Sequence, residues 1–173
     1  MRILACDIAT VTGWAFGDGA SDPIFGSQRM GRRGALLGEC YVAFRDWMNA
    51  TVDRLHPEVV VFEAPLLINR GSAQVVQRLM GLAAHADEIA TRRGLEVYRA
   101  EGSTVTKAFT GRGRFTGGRD EKKQAVIRTC NLYGWFPTDD NAADSLALLH
   151  YTQAVLNRRA PVNRAAGPLF SRG

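Results

Sequence analysis

"RILACDIATVTGWAFG", residues 2–17, is the stretch on which the reading of the whole chain turns. Ile3, Leu4, Ala5 and Cys6 predict a short buried strand, yet the run ends on Asp7. A turn at Ala9 to Val11 and a second apolar run then predict a partner strand over 12–17. A carboxylate at the inner end of a core strand is costly to bury unless something pairs with it. The question is what Asp7 holds.

The chain has 173 residues, 46% hydrophobic and 23% charged, which predicts one soluble domain with a sizeable core. No apolar run approaches the roughly 20 residues that span a bilayer, so no membrane association is expected. Asp7 interrupts the first apolar stretch too early for a signal peptide. Cys6, Cys40 and Cys130 are scattered and lack metal-ligand spacing; they read as reduced core thiols of a cytoplasmic protein.

Beyond the first hairpin, a third strand is expected over Ile24 to Met30 and a helix over Ala35 to Leu55, stopped by His56-Pro57. "EVVVFEAP" is a continuous apolar run, the mark of a strand covered on both faces, with Glu63 near its end. A loop leads to a long helix from about Ser72 to Arg93, closed by Gly94, and "LEVYRA" is the next strand. A short helix near Ser103 to Phe109, a helix capped by Asp120 and running through Tyr133, and a last helix capped by Asp139 or Asp140 complete the domain, residues 1–157. Residues 158–173 read as a basic, flexible tail.

Three early strands followed by alternating helix and strand imply an α/β fold on a mixed five-stranded sheet. The first three strands are antiparallel, and the later two join strand 1 in parallel through helical crossovers. Sites in such sheets collect at the carboxyl ends of the parallel strands, where Asp7 and Glu63 both fall.

The net charge of +5 leans toward a polyanionic partner. Lys107, Arg112, Arg114, Arg119, Lys122 and Lys123 crowd one stretch, interleaved with glycines, Phe109 and Phe115. That pattern predicts a flexible basic loop able to settle on a phosphate backbone.

"DDNAADSLALLH" supplies a third acidic group. Helix capping explains Asp139 or Asp140, but not Asp144, which lies among core-sized residues. Three carboxylates meeting at one point would repel one another and raise their own pKa values. A hard divalent cation removes that conflict, and all-oxygen ligation suits Mg²⁺ or Mn²⁺. Two such ions can activate water and stabilise the leaving oxygen in phosphodiester cleavage.

Four segments, in order, resemble the RuvC-type Holliday junction resolvases of the ribonuclease H-like superfamily, particularly divergent phage and prophage forms. "CDIATVTGWAF" is similar to the first strand and hairpin, and "VVVFEAP" to the strand bearing a glutamate. "STVTKAFTGRGRFTGGRDEKKQAV" is similar to the lysine-containing stretch that leads into a helix, and "NAADSLALLHY" to the terminal helix. The resemblance spans residues 1 to about 152. It implies a ribonuclease H-like fold and Mg²⁺-dependent cleavage of branched DNA, with paired nicks in a four-way junction. Mn²⁺ would substitute for Mg²⁺, with two ions in each site.

By the same resemblance Asp7, Glu63 and Asp144 are metal ligands. Lys107 and Lys122 lie near the scissile phosphate, with Lys123 an alternative to Lys122. Leu66, Leu67 or Ile68 wedges into the junction, beside Arg70, and the protein is a homodimer. Asn141 stands where the family has a further acidic or histidine ligand, and Asp140 is the alternative for that role. A junction binder without activity and a flap- or fork-selective nuclease remain as alternatives. An actin-like kinase needs two lobes, and "GRFTGGRD" lacks the Lys-Ser/Thr pair of a phosphate loop.

Overall fold

The computed structural model describes residues 1–64 and 72–159. Its sheet is built on β1 (Ile3–Asp7), whose residues are all buried except the last. β2 (Val11–Gly17) pairs with it antiparallel and β3 (Ile24–Arg29) pairs antiparallel with β2. β4 (Val59–Glu63) and β5 (Glu96–Ala100) extend the other side in parallel, giving the order β3-β2-β1-β4-β5. The mixed five-stranded sheet is the one the sequence predicts.

The turn between β1 and β2 is closed by Thr12, which is buried. Its hydroxyl donates to the Ala9 carbonyl at 2.9 Å. The register sets Asp7 opposite Gly13.

Alternate residues of a strand face opposite sides of the sheet, and here both sides are covered. On one side Leu4, Cys6, Val60 and Phe62 meet α1 (Leu37–Leu55) and α2 (Ala73–Arg92) through Phe44, Met48, Leu82 and Ile89. On the other, Ile3, Ala5, Val59 and Val61 meet α3 (Gly102–Thr110), α4 (Gly118–Leu132) and α5 (Asp140–Arg159) through Val105, Phe109, Val126, Leu146 and Leu149. Each fully buried side chain of this size contributes about 1.5–3 kcal/mol. Cys6, Cys40 and Cys130 are free and buried; burial pushes the Cys6 and Cys130 thiols up to about 12.

Helix ends follow local chemistry. Glu39 accepts the Leu36 N–H at 2.7 Å at the start of α1, and His56, in the left-handed region, ends it before Pro57. The first hydrogen bonds of α5 are organised by Asp139, which accepts the Ala142 N–H at 2.9 Å and the Ser27 hydroxyl. Asp139, not Asp140, is therefore the cap.

Two expectations are corrected. Asp120 does not cap α4: the helix begins at Gly118, and Glu121 reaches back to accept the Gly117 N–H at 2.7 Å. The basic stretch is not one long loop, because only residues 111–117 lie between α3 and α4. Glu121 braces them further by accepting from Arg112 at 2.7 Å, while Arg112 stacks over Phe115. Leu66, Leu67, Ile68 and Arg70, and the tail from residue 160 onward, lie outside the described residues. Among the described residues no helix is long and apolar enough to cross a membrane.

Candidate active site

Parallel pairing brings the ends of β1 and β4 side by side, so Asp7 and Glu63 open into the same space at the carboxyl edge of the sheet. There they join Asp144, carried by the first turns of α5, in a cleft of about 370 Å³. Ile8, Ala9, Leu79 and Ala83 form its apolar side. Asp140 and Asn141 line it from α5, and Arg119, Lys122 and Lys123 from α4. Residues drawn from the whole length of the sequence thus meet in one place.

α5 can come this close because β2 offers no side chain at Gly13. A β-carbon there would overlap the Asn141 carbonyl and lie 3.0 Å from the Ala142 nitrogen. Glu63 is held similarly: a β-carbon on Gly102, at the first position of α3, would lie 2.6 Å from its Oε2. Gly13 and Gly102 shape the site without carrying any of its chemistry.

The electrostatics are those of crowded acids. Burial, followed by the charges of Asp144 and Glu63, pushes Asp7 up to about 8. Asp144 is pushed up to about 6 by burial, against the opposing effect of Lys122. Glu63 is raised by burial, again partly offset by Lys122. Asp140 behaves differently: a hydrogen bond from Lys123 lowers its pKa, and the two form an ion pair. Lys122 is the cation shared by all three raised acids.

As they stand, the acids do not close on a single point. Among the described residues no three His, Cys, Asp or Glu side chains are grouped tightly enough to hold one ion. The donor set nevertheless fits a hard divalent cation. It is all oxygen, it is held at the edge of an apolar floor, and its raised pKa values are the penalty a cation relieves.

The cleft brings together Asp7, Glu63, Asp144, Asp140, Asn141, Arg119, Lys122 and Lys123 from the sequence-predicted set. Lys107, Arg112 and Arg114 are not among its lining residues. Lys107 is exposed on α3, with its stem beside Gly113, and Arg112 is engaged with Glu121. Gly13 belongs to the threonine-glycine hairpin of the resemblance, but neither its packing role nor that of Gly102 is part of the sequence reading. An isolated glycine inside a strand pattern is a signal of close backbone approach, and it was available for Gly13. Gly102, at a helix start, offers no comparable signal.

No protein-family model matches the sequence, and no curated protein matches it. Solved structures do match in fold. A Thermus thermophilus RuvC structure superposes with a TM-score of 0.67 at 19% identity, covering 91% of this chain and 97% of that one. T. thermophilus RuvC in complex with a Holliday junction substrate gives 0.70 at 15% identity, covering 92% and 96%. The yeast mitochondrial Holliday junction resolvase Ydc2 gives 0.56 at 12% identity, covering 91% and 84%. The chain has the RuvC-like, ribonuclease H-like fold.

Proposed function

We propose that this chain is a divalent-metal-dependent endonuclease that cuts phosphodiester bonds in branched DNA and resolves four-way junctions by paired nicks. The observation that carries this reading is the meeting of Asp7, Glu63 and Asp144 with Lys122 in one cleft at the carboxyl edge of the sheet. The likeness in fold to a RuvC bound to a Holliday junction substrate supports the choice of branched DNA.

Asp7, Glu63, Asp144 and the Asn141 side-chain oxygen would hold the ions, two Mg²⁺ or Mn²⁺. Bound there, these would supply an activated water and a stabilised leaving oxygen. The chain's own groups do the rest. Lys122 sets a positive charge beside the acids and would meet a non-bridging oxygen of the phosphate to be cut. Arg119 and Lys123 continue that charge along α4 and would hold neighbouring phosphates. Asp140 stays ionised and engaged by Lys123, so it leaves the further ligand position to Asn141. Free, buried thiols suit work in the reducing cytoplasm.

Paired nicks call for two sites related by a two-fold axis, and we propose a homodimer. Val75 and Met80 on α2 are 42% and 43% exposed, apolar groups on an outer helix that a second copy would cover, whereas Leu82 and Ala83 of the same helix face the core. A monomeric mass at micromolar concentration with junction cleavage intact would refute the dimer.

A second reading is a junction-binding protein of little or no activity. It is favoured by the neutral Asn141 and by acids that stand apart. The deciding experiment incubates labelled four-way, Y-shaped and linear duplex DNA with and without Mg²⁺. Symmetric paired nicks in the four-way substrate alone are expected. Binding without nicking would select the second reading, and cutting of Y-shaped substrates alone would make the protein a fork nuclease.

A further inference from the structure

Among the described residues, the cations lining the cleft all come from α4, which packs on one side of the sheet. The opposite wall belongs to α2, on the sheet's other side, where Leu79 and Ala83 supply only apolar surface. Immediately before Leu79 comes Arg78, half-buried, whose guanidinium reaches the β1–β2 turn. Its Nη1 donates to the Thr10 hydroxyl at 3.4 Å, one residue beyond Ala9 of the cleft wall. Its Nε is buried and has no hydrogen-bond partner. Among the described residues Arg78 makes no ion pair, and its charge is not among those acting on Asp7.

A buried guanidinium N–H without an acceptor is unusual and calls for an explanation. Arg78 is not compensating the acids, and a single long hydrogen bond to Thr10 does not satisfy a group with five donors. The Nε is closed to solvent, so an incoming anionic acceptor would meet the Nη groups, which Thr10 places next to Ala9 of the cleft wall. A phosphate oxygen pair matches the guanidinium fork in both charge and geometry.

We propose that Arg78, with Thr10, is a second phosphate-binding point, which holds the backbone phosphate next to the one being cut, on the α2 side. The proposal rests on the reading of the cleft as a nuclease site. A strand gripped only by α4 is free to pivot over the repelling carboxylates. A grip on the opposite wall fixes the line along which the strand crosses them. Arg78 is thus a positioning residue. It sets where the strand lies, while Asp7, Glu63, Asp144 and Lys122 face the reacting phosphate.

The test measures binding of a fluorescent four-way junction to the full chain in metal-free buffer across a salt series, for wild type, Arg78→Met, Arg78→Gln and Arg78→Lys. Methionine and glutamine keep the long stem and remove the charge. Each is expected to weaken binding roughly tenfold and to make the slope of log K against log salt shallower by about 1. Lysine is expected to restore the slope but only part of the affinity. In cleavage assays KM should rise more than kcat falls.

Melting temperature separates this from a structural role. The neutral variants should melt at or above the wild-type temperature, because a buried unsatisfied donor has been removed. Lower melting temperatures with unchanged affinity and slope would overturn the proposal, as would loss of the fold in both neutral variants. Arg78 would then be a brace for the β1–β2 turn. A wild type that binds no branched DNA would sink the nuclease reading and this inference together. A wild type that binds, alongside an Arg78→Gln protein that binds equally well, would sink this inference alone.

Discussion

Gly13 of β2 and Asn141 of α5 are packed backbone against backbone, with no room for a side chain between them. Gly13 is also the register partner of Asp7. One glycine therefore fixes the distance between the strand that carries the first carboxylate and the helix that carries the last.

Gly13→Ala should consequently damage both stability and activity. The added methyl would push α5 outward, and overpacking of this kind costs about 1–3 kcal/mol. Displacement of Asn141 and Asp144 should remove most of the cleavage in the molecules that stay folded. Gly38→Ala in α1 is the control, since nothing lies within 4 Å of its β-carbon. Alanine there should be neutral or raise stability by about 0.5–1 kcal/mol. Thermal melts and junction cleavage of the two variants check the contrast.

Asp7→Asn, Glu63→Gln and Asp144→Asn should each abolish nicking while leaving junction binding intact or tighter. Each loses an ion ligand and also a charge that repels phosphate. Gel-shift and cleavage assays on the same preparations suffice. A variant that nicks at near the wild-type rate would be removed from the site.

The raised acids predict a pH dependence of definite sign. Asp7 titrates near 3.8 when unshifted and near 8 in the folded protein, so the fold retains a proton that the unfolded chain has released. The stability this contributes is complete below about pH 4 and is lost as pH rises through about 8. Metal-free protein should melt at progressively lower temperature over that range, and Asp7→Asn should flatten the trend. Cleavage should run the other way, rising with pH as Asp144 and Asp7 give up their protons to the ions, at pH values below the metal-free values of about 6 and 8. Melting curves in EDTA and pH–rate profiles in Mg²⁺ test the two signs independently.

The α5 residues differ in what they predict for metal. Asn141 offers a neutral oxygen, so Asn141→Asp should lower the Mg²⁺ concentration for half-maximal cleavage. Asp140 is engaged by Lys123, and Asp140→Asn should leave that concentration nearly unchanged. Metal titrations of the two variants would show the opposite order if Asp140 is a ligand. EDTA should stop cleavage by all of them.

The cleft also separates two lysines that the sequence ranks equally. Lys122 acts on all three raised acids, whereas Lys107 is exposed beside Gly113. Lys122→Ala should reduce kcat by tenfold or more, by analogy with loss of a charge-stabilising donor at roughly 10²–10³. Lys107→Ala should act mainly on binding. Equal losses of kcat would return Lys107 to the reacting phosphate.

Much of this was legible in the chain because the elements carry strong local signals. The apolar runs at Ile3–Cys6 and Val59–Phe62, and the stops at His56-Pro57 and Gly94, placed the sheet and the long helices closely. The acids were legible because Asp7, Glu63 and Asp144 each break an apolar pattern. What stayed hidden depends on contacts between distant segments. Glu121 reaching back to Gly117 moved the start of α4, and its hold on Arg112 braced the stretch that glycines and charges made look loose. Arg78 was invisible for the same reason: it is one of many polar residues on α2 until its stranded Nε is seen.

The bond between Ser27 and Asp139 joins residues 112 positions apart and ties the start of α5 to the edge of the sheet. During synthesis the ribosome releases Asp7 and Glu63 well before Asp144, so a nascent chain has an incomplete set of acids until α5 has emerged and docked. The same order applies in reverse to a finished molecule. Local fraying of α5 from β2 and β3 would withdraw Asp144 while leaving Asp7 and Glu63 on their paired strands. Such opening would expose Ala142, Ala143 and Leu146, all buried, so it gives up a large share of the core. On the proposed function, the last helix would act as a safety catch, completing the acids only in a chain that has finished folding.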